Sequence, residues 1–229
     1  MTKEYNNILA IDTSTKNLRL GLQFGGDRLI QSNEEIEKSH GRFIIKKIGE
    51  LFQTASLEIK DLEAIVVGIG PGSFTGLRIG LAAAKGMAVA LNIPIIGINS
   101  FEIAAVRLKN VEDTIYVIVP LNRDEGIMCN INDGLFNQDN ISIIKYNELF
   151  EKIGHSSLAS FGLNFSELFP EMTNKDYSDY LNFNASDMLY LGLEKLNKGE
   201  MADLASLEPM YLQKSQAEIR FDQYREENK

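Results

Sequence analysis

Asp12-Thr-Ser-Thr15 places an acid and neighbouring hydroxyls directly after an apolar run. Such a group can position a phosphate and its Mg²⁺, and an Asx or ST turn uses the same residues. Gly68-Ile-Gly-Pro-Gly-Ser-Phe-Thr-Gly-Leu-Arg-Ile-Gly80 joins a β-like run to a helix-like one. Free N–H groups at a helix start attract anions, but a P-loop needs G-x-x-x-x-G-K-[ST], and this loop has no lysine. A dinucleotide turn needs G-x-G-x-x-G, and here Gly68 and Gly70 are followed by Ser73. Two readings stand side by side. Asp12, Thr13, Ser14, Gly70, Gly72 and Ser73 form residual phosphate-type turns, or they make tight turns with Ser73 or Thr75 capping a helix. The two histidines, His40 and His155, are far apart, and Ile44 occupies the position one helical turn after His40. A zinc hydrolase pairs two histidines at such spacing, so no metal site is expected. No Gly-x-Ser-x-Gly elbow is present to support a hydrolase triad. The single cysteine, Cys129, sits in the apolar run Gly126–Ile131 with no basic neighbour in sequence, which predicts a buried, inert thiol.

The elements that must hold these residues follow from periodicity. Asn7–Asp12 is a short buried strand. Leu18–Phe24 alternates as a half-buried strand does, and Gly25-Gly-Asp27 turns it into Arg28–Ser32. Ser39–Ala55 is a helix with Ile44, Ile48, Leu51 and Ala55 on one face. A strand Ala64–Ile69, the loop, a helix Thr75–Leu91 and a strand Ile93–Ile98 follow. This order, βββαβαβ, predicts a mixed sheet with helices packed on it, an α/β class. Ser100–Leu108 is a further helix with Ser100 as its cap. A second set then begins: strands at Thr114–Pro120, Ile127–Ile131, Ile141–Lys145 and Ser156–Phe161, and helices at Asn147–Ile153 and Ala185–Leu196. Phe165–Asn184 is irregular, and the charged tail from Ser215 frays. The best division lies near 104–113, giving lobes of 1–104 and 105–229.

The helix after the loop has a distinctive composition. Gly76, Gly80, Ala84 and Ala88 recur every four residues, and Arg78 and Lys85 are its only charges. Each interior glycine costs about 1 kcal/mol against alanine, so the stripe implies close approach of a neighbour. That neighbour is either internal or a partner protein. A helix apolar nearly all round needs cover on more than one side, which favours a partner. On that reading Gly80→Leu or Ala84→Glu weakens association more than it lowers monomer stability.

Among 229 residues, 44% are hydrophobic and the net charge is −9. The chain is long enough for a real core. An acidic balance argues against gripping a nucleic-acid backbone, which takes clustered Lys and Arg. The N-terminus lacks an apolar signal segment, and Lys85, Asn92 and Pro94 interrupt the longest weakly charged stretch. A cytoplasmic protein with no membrane role is expected.

Ile8-Leu-Ala-Ile-Asp-Thr-Ser14, Gly70-Pro-Gly-Ser-Phe-Thr-Gly-Leu-Arg-Ile-Gly80, Pro94 and Pro209-Met-Tyr-Leu212 resemble the TsaB (YeaZ) family, densely over residues 8–104 and loosely beyond. The resemblance implies an actin-like (ASKHA, ribonuclease H-like) fold of two related lobes. The second lobe is degenerate, with a charged tail that packs back on the first. It further implies a non-catalytic subunit for the tRNA modification N6-threonylcarbamoyladenosine (t6A) at position 37. In that role it pairs with the catalytic paralogue TsaD, together with the ATPase TsaE, touching tRNA only indirectly and forming a homodimer when alone. The family's contact is made by first-lobe helices, which carries over to Ile44, Ile48 and Leu51 and to Gly76, Arg78, Gly80, Ala84, Lys85 and Ala88. No cofactor is implied for the chain itself, ATP or ADP being expected only at the subunit boundary. The family's acidic-arginine turn reads Leu121-Asn-Arg-Asp-Glu-Gly here, a departure. The competing reading, from Asp12–Thr15 and the glycine loop, is a stand-alone actin-like ATP-binding kinase or ATPase.

Overall fold

The computed structural model describes residues 4–36, 40–169 and 174–212. The first half builds one mixed sheet from β1 (Ile8–Asp12), β2 (Asn17–Phe24), β3 (Arg28–Glu35), β4 (Ala64–Gly70) and β5 (Ile95–Asn99), in the order β3-β2-β1-β4-β5. β1 to β3 are antiparallel, whereas β4 runs parallel to both β1 and β5. The Gly25–Asp27 turn has positive φ at both glycines, 60° and 87°, as a tight hairpin requires. β3 runs on to Glu35, beyond the expected Ser32. It is the sheet edge, and its polar residues blunt that edge while still extending the ladder.

Alternation decides which residues face which layer. Leu9, Ile11, Ile65 and Val67 point to one side, under α1 (Ile44–Ala55) and α2 (Phe74–Leu91). Ile8, Ala10, Ala64 and Val66 point to the other, under α3 (Ser100–Leu108) and α6 (Ala185–Lys198). β2 is therefore buried on both faces rather than half-buried. Gly21 lies so close beneath Ala185 and Leu189 of α6 that a Cβ there would strike both side chains. α1 begins at Ile44, after a 3₁₀ turn over His40–Arg42, rather than at Ser39, which lies outside the described residues. The cap of α3 is Asn99, not Ser100. Asn99 accepts the Glu102 N–H at 2.9 Å and Glu102 accepts the Asn99 N–H at 2.8 Å, a reciprocal pair. Ser100 instead donates its hydroxyl to the Pro71 carbonyl.

The second sheet comprises β6 (Ile115–Pro120), β7 (Glu125–Asn132), β8 (Leu135–Phe136), β9 (Ser142–Lys145) and β10 (Ser157–Ser160), in the order β10-β6-β7-β8 with β9 also paired to β7. One face shares a core with α3 through Val117, Ile127, Cys129 and Ile131. The other is covered by α4 (Tyr146–Ile153) and the short α5 (Phe165–Leu168), around Met128, Leu149 and Phe165. The expected irregular stretch Phe165–Asn184 thus contains α5 and a 3₁₀ turn over Ser178–Leu181, and it anchors itself by burying Phe165 and Phe183. Cys129 is fully buried, and burial raises its thiol pKa to about 11.

After α6 the chain returns to the first sheet. The Ala202 N–H bonds to the Ile95 carbonyl, the Met210 N–H bonds to the Ile69 carbonyl, and Leu207 enters the core beneath α2. The charged tail from Ser215 lies outside the described residues.

Candidate functional site

The phosphate-type residues do come together. The Ser73 N–H bonds to the Ser14 carbonyl at 2.7 Å, which knits the glycine loop to the turn after β1. Gly72 lies against the same carbonyl, closely enough that any Cβ there would collide with it. Ser73 caps α2 by accepting the Gly76 N–H at 3.2 Å. The two turns form one lip of a cleft of about 1090 Å³, with Val119–Leu121, Ser160–Asn164, Asp176, Ser178 and Asp179 opposite.

The polar groups on that lip are already engaged. Thr13 donates its hydroxyl to the Gly76 carbonyl at 2.7 Å. Asp12, 1% exposed, accepts from the Ser14 N–H through Oδ1 and pairs with Arg19 Nη1 at 3.1 Å through Oδ2. Arg19 also donates to Thr15 Oγ1 at 2.8 Å and to the Phe183 carbonyl at 3.1 Å, and it lies 4.1 Å over the Phe183 ring. A buried charge is tolerated only when paired and hydrogen-bonded in this way. In sequence Arg19 reads as a solvent-facing base in an alternating strand, and only the segment carrying Phe183, which bonds it and stacks under it, makes it internal. Among the described residues no group of His, Cys, Asp or Glu is placed to hold a metal ion.

Gly76, Gly80, Ala84 and Ala88, expected at a partner surface, face the other way, whereas Arg78 stays exposed and Lys85 half-buried. Gly76 and Gly80 lie against Thr13, and a Cβ on either would collide with its carbonyl or hydroxyl oxygen. Ala84 and Ala88 are fully buried with Leu9, Ile11 and Val67. The neighbour that demanded the small-residue stripe is this chain's own β1 turn and sheet. Ile44, Ile48 and Leu51 of α1 enter the same core, because they are its strongest apolar face. Arg78 and Lys85 turn toward the C-terminal segment. Arg78 stacks 3.9 Å over Phe74 and bonds to the Tyr211 hydroxyl at 2.8 Å. Asp203 is held below its ordinary pKa first by the Ala205 N–H, then by Ser206 and, more weakly, by Lys85.

What remains outside is a different set on the same two helices. Only a third of α2 is buried, although it is long and apolar enough by composition to cross a membrane. Its outward side presents Ala82, Gly86 and Val89, the last 66% exposed, while α1 presents Ile45, 62% exposed, with Phe43 exposed at its cap. The sequence signal for this face was available: once the glycine stripe is assigned inward, the rest of α2 is still nearly free of charge.

The family model for tRNA N6-adenosine threonylcarbamoyltransferase, TsaD, matches residues 32–121. The tRNA threonylcarbamoyladenosine biosynthesis protein TsaB of Bacillus subtilis is 27% identical over 93% of this chain and 97% of its own length. The TsaB of Escherichia coli is 34% identical over 41% of this chain and 40% of its own length. Among solved structures, YeaZ from Pseudomonas aeruginosa superposes with a TM-score of 0.72 at 22% identity, covering 90% of this chain and all of that one. A Bacteroides thetaiotaomicron protein of actin-like ATPase fold and unknown function superposes at 0.50 over 83% of this chain and 97% of its own, at 8% identity. The two mixed sheets described above are those of the actin-like fold.

Proposed function

We propose that this chain, a TsaB (YeaZ)-like protein in sequence and fold, takes part in tRNA threonylcarbamoyladenosine biosynthesis as a non-catalytic, soluble cytoplasmic subunit. Its role is to dock a TsaD-type catalytic partner, with a TsaE-type ATPase joining the assembly. The observation that carries the docking role is the outward side of α2. Eighteen consecutive helical residues include two charges, both turned toward the chain's own C-terminal segment, while Ala82, Gly86 and Val89 stand uncovered. A helix face of small residues suits the backbone of another protein's helix, because nothing bulky holds it off, and Ile45 of α1 and the preceding Phe43 are exposed as well. The same face accounts for self-association when the partner is missing. The net charge of −9 leaves tRNA contact to the partner.

The test is co-purification with the TsaD-type protein of the same organism, with t6A quantified in tRNA after depletion of this chain. Co-purification and a fall in t6A are expected; unchanged t6A in depleted cells would refute the assignment.

A further inference from the structure

The actin-like fold is shared with ATPases, which handle ATP as its Mg²⁺ complex, the ion held through one or two carboxylates and the phosphates. The residues of this cleft do not fit that ion. Asp12 is the buried carboxylate at the end of β1, and both its oxygens are engaged, Oδ1 by the Ser14 N–H and Oδ2 by Arg19. Arg19 lines the cavity and Asp12 does not, so the guanidinium stands between the carboxylate and the cleft. On the opposite lip, Asp176 Oδ1 accepts both the N–H and the hydroxyl of Ser178.

We propose that Arg19 is a built-in cation. It occupies the position and supplies the charge that a divalent ion would bring to Asp12, so the cleft works as a metal-independent joint between the lobes. Its bonding pattern matches that role. Nη1 is shared between Asp12 and Thr15 on the first lobe, while Nε reaches the Phe183 carbonyl, and the Phe183 ring meets Phe161 edge-on at 6.0 Å in the second half of the chain. Asp12, Arg19, Phe183 and Phe161 thus form one continuous link beside the cleft, which Arg19 and Phe161 line. A magnesium nucleotide would have to break that link to reach Asp12, stranding a buried charge. The joint holds its geometry without a nucleotide, and any ligand that enters the cleft does so without a divalent ion on Asp12.

Titration of the full chain with Mn²⁺, followed by electron paramagnetic resonance, tests this. The unaltered protein should leave the free-ion signal intact. Arg19→Met, which keeps an apolar stem and removes the charge, should bind one equivalent of Mn²⁺ at least tenfold more tightly, and Asp12→Asn added to it should abolish that gain. One equivalent bound by the unaltered protein and lost in Asp12→Asn would overturn the proposal. So would a folded Arg19→Met that binds no ion. Should Arg19→Met fail to fold, thermal melting of the unaltered protein with and without Mg²⁺ decides. An unchanged midpoint upholds the built-in cation, and a midpoint raised by Mg²⁺, with no rise in Asp12→Asn, removes it.

Discussion

Thr13 and Gly80 touch across the boundary between β1 and α2: the threonine hydroxyl occupies the space that a side chain on Gly80 would need, and from there it donates to the Gly76 carbonyl at 2.7 Å. The glycine is thus explained by a hydroxyl, and the hydroxyl by a carbonyl one helical turn earlier.

From this contact comes the first prediction. Gly80→Ala gains about 1 kcal/mol of helix propensity, yet it forces Thr13 aside, at a cost of about 1–3 kcal/mol for overpacking and about 1 kcal/mol for the displaced hydrogen bond. Urea denaturation should show net destabilisation of about 1–3 kcal/mol from these terms. In a Thr13→Ala background the same substitution should be neutral or stabilising, and additivity of the two changes would exclude direct contact. The expectation that bulk on this stripe affects association rather than folding is therefore reversed.

Gly86 behaves oppositely. It is exposed in the helix interior, with no atom within 4 Å of a built Cβ. Gly86→Ala should stabilise the isolated chain by about 0.5–1 kcal/mol through helix propensity alone. On the same face, Val89→Glu should leave unfolding within about 0.5 kcal/mol of the parent, as for most surface changes. Under the docking reading it should also weaken partner capture at least tenfold, measured by titration calorimetry. Unchanged affinity would move the interface elsewhere.

Burial raises the Cys129 thiol pKa to about 11, so at pH 8 almost none of it is thiolate, the reactive form. Mass spectrometry after iodoacetamide treatment should find Cys129 unmodified in the native protein and alkylated in urea. Rapid native labelling would contradict the packing of β7 against α3.

Asp113 ties the start of β6 to the segment after α5, accepting from the Tyr177 hydroxyl at 2.9 Å, the Ser157 hydroxyl at 3.1 Å and Lys175 at 3.3 Å. These partners, Tyr177 foremost, hold its carboxyl below the ordinary value. A depressed folded-state pKa contributes stability above the unfolded carboxylate value of about 4, and that stability is lost as pH falls through the folded value. Asp113→Asn should therefore be less stable than the parent at neutral pH, with the two denaturation midpoints converging below about pH 4. A gap that persists in acid would assign the effect to packing.

Most strands and helices were legible because their signals are local. Leu9, Ile11, Ile65 and Val67 alternate, and Ile44, Ile48 and Leu51 repeat at helical spacing. The turns at Asp12–Ser14 and Gly70–Ser73 were legible as neighbours of helix and strand ends. What was not legible was orientation. Spacing shows that Gly76, Gly80, Ala84 and Ala88 need a close neighbour but not whether that neighbour belongs to the same chain. Likewise Arg19 reads as an exposed base until the segment at Phe183, 164 positions later, is known to lie against it. Ser100 was chosen as a cap by residue type, and Asn99 took the role because its side chain and that of Glu102 satisfy each other's backbone.

The return of α6 to the first sheet bears on the order in which this protein is made. Ala10 and Val66 wait for a cover that includes Ala185, Met188 and Leu189, synthesised about 120 residues after Val66. At about 5–20 residues per second, translation leaves that apolar face without its lid for roughly 6–24 seconds. The nascent first half is thus a natural client for chaperones, and sequence-distant pairing makes emergence of α6, rather than of the first sheet, the step at which native structure can close.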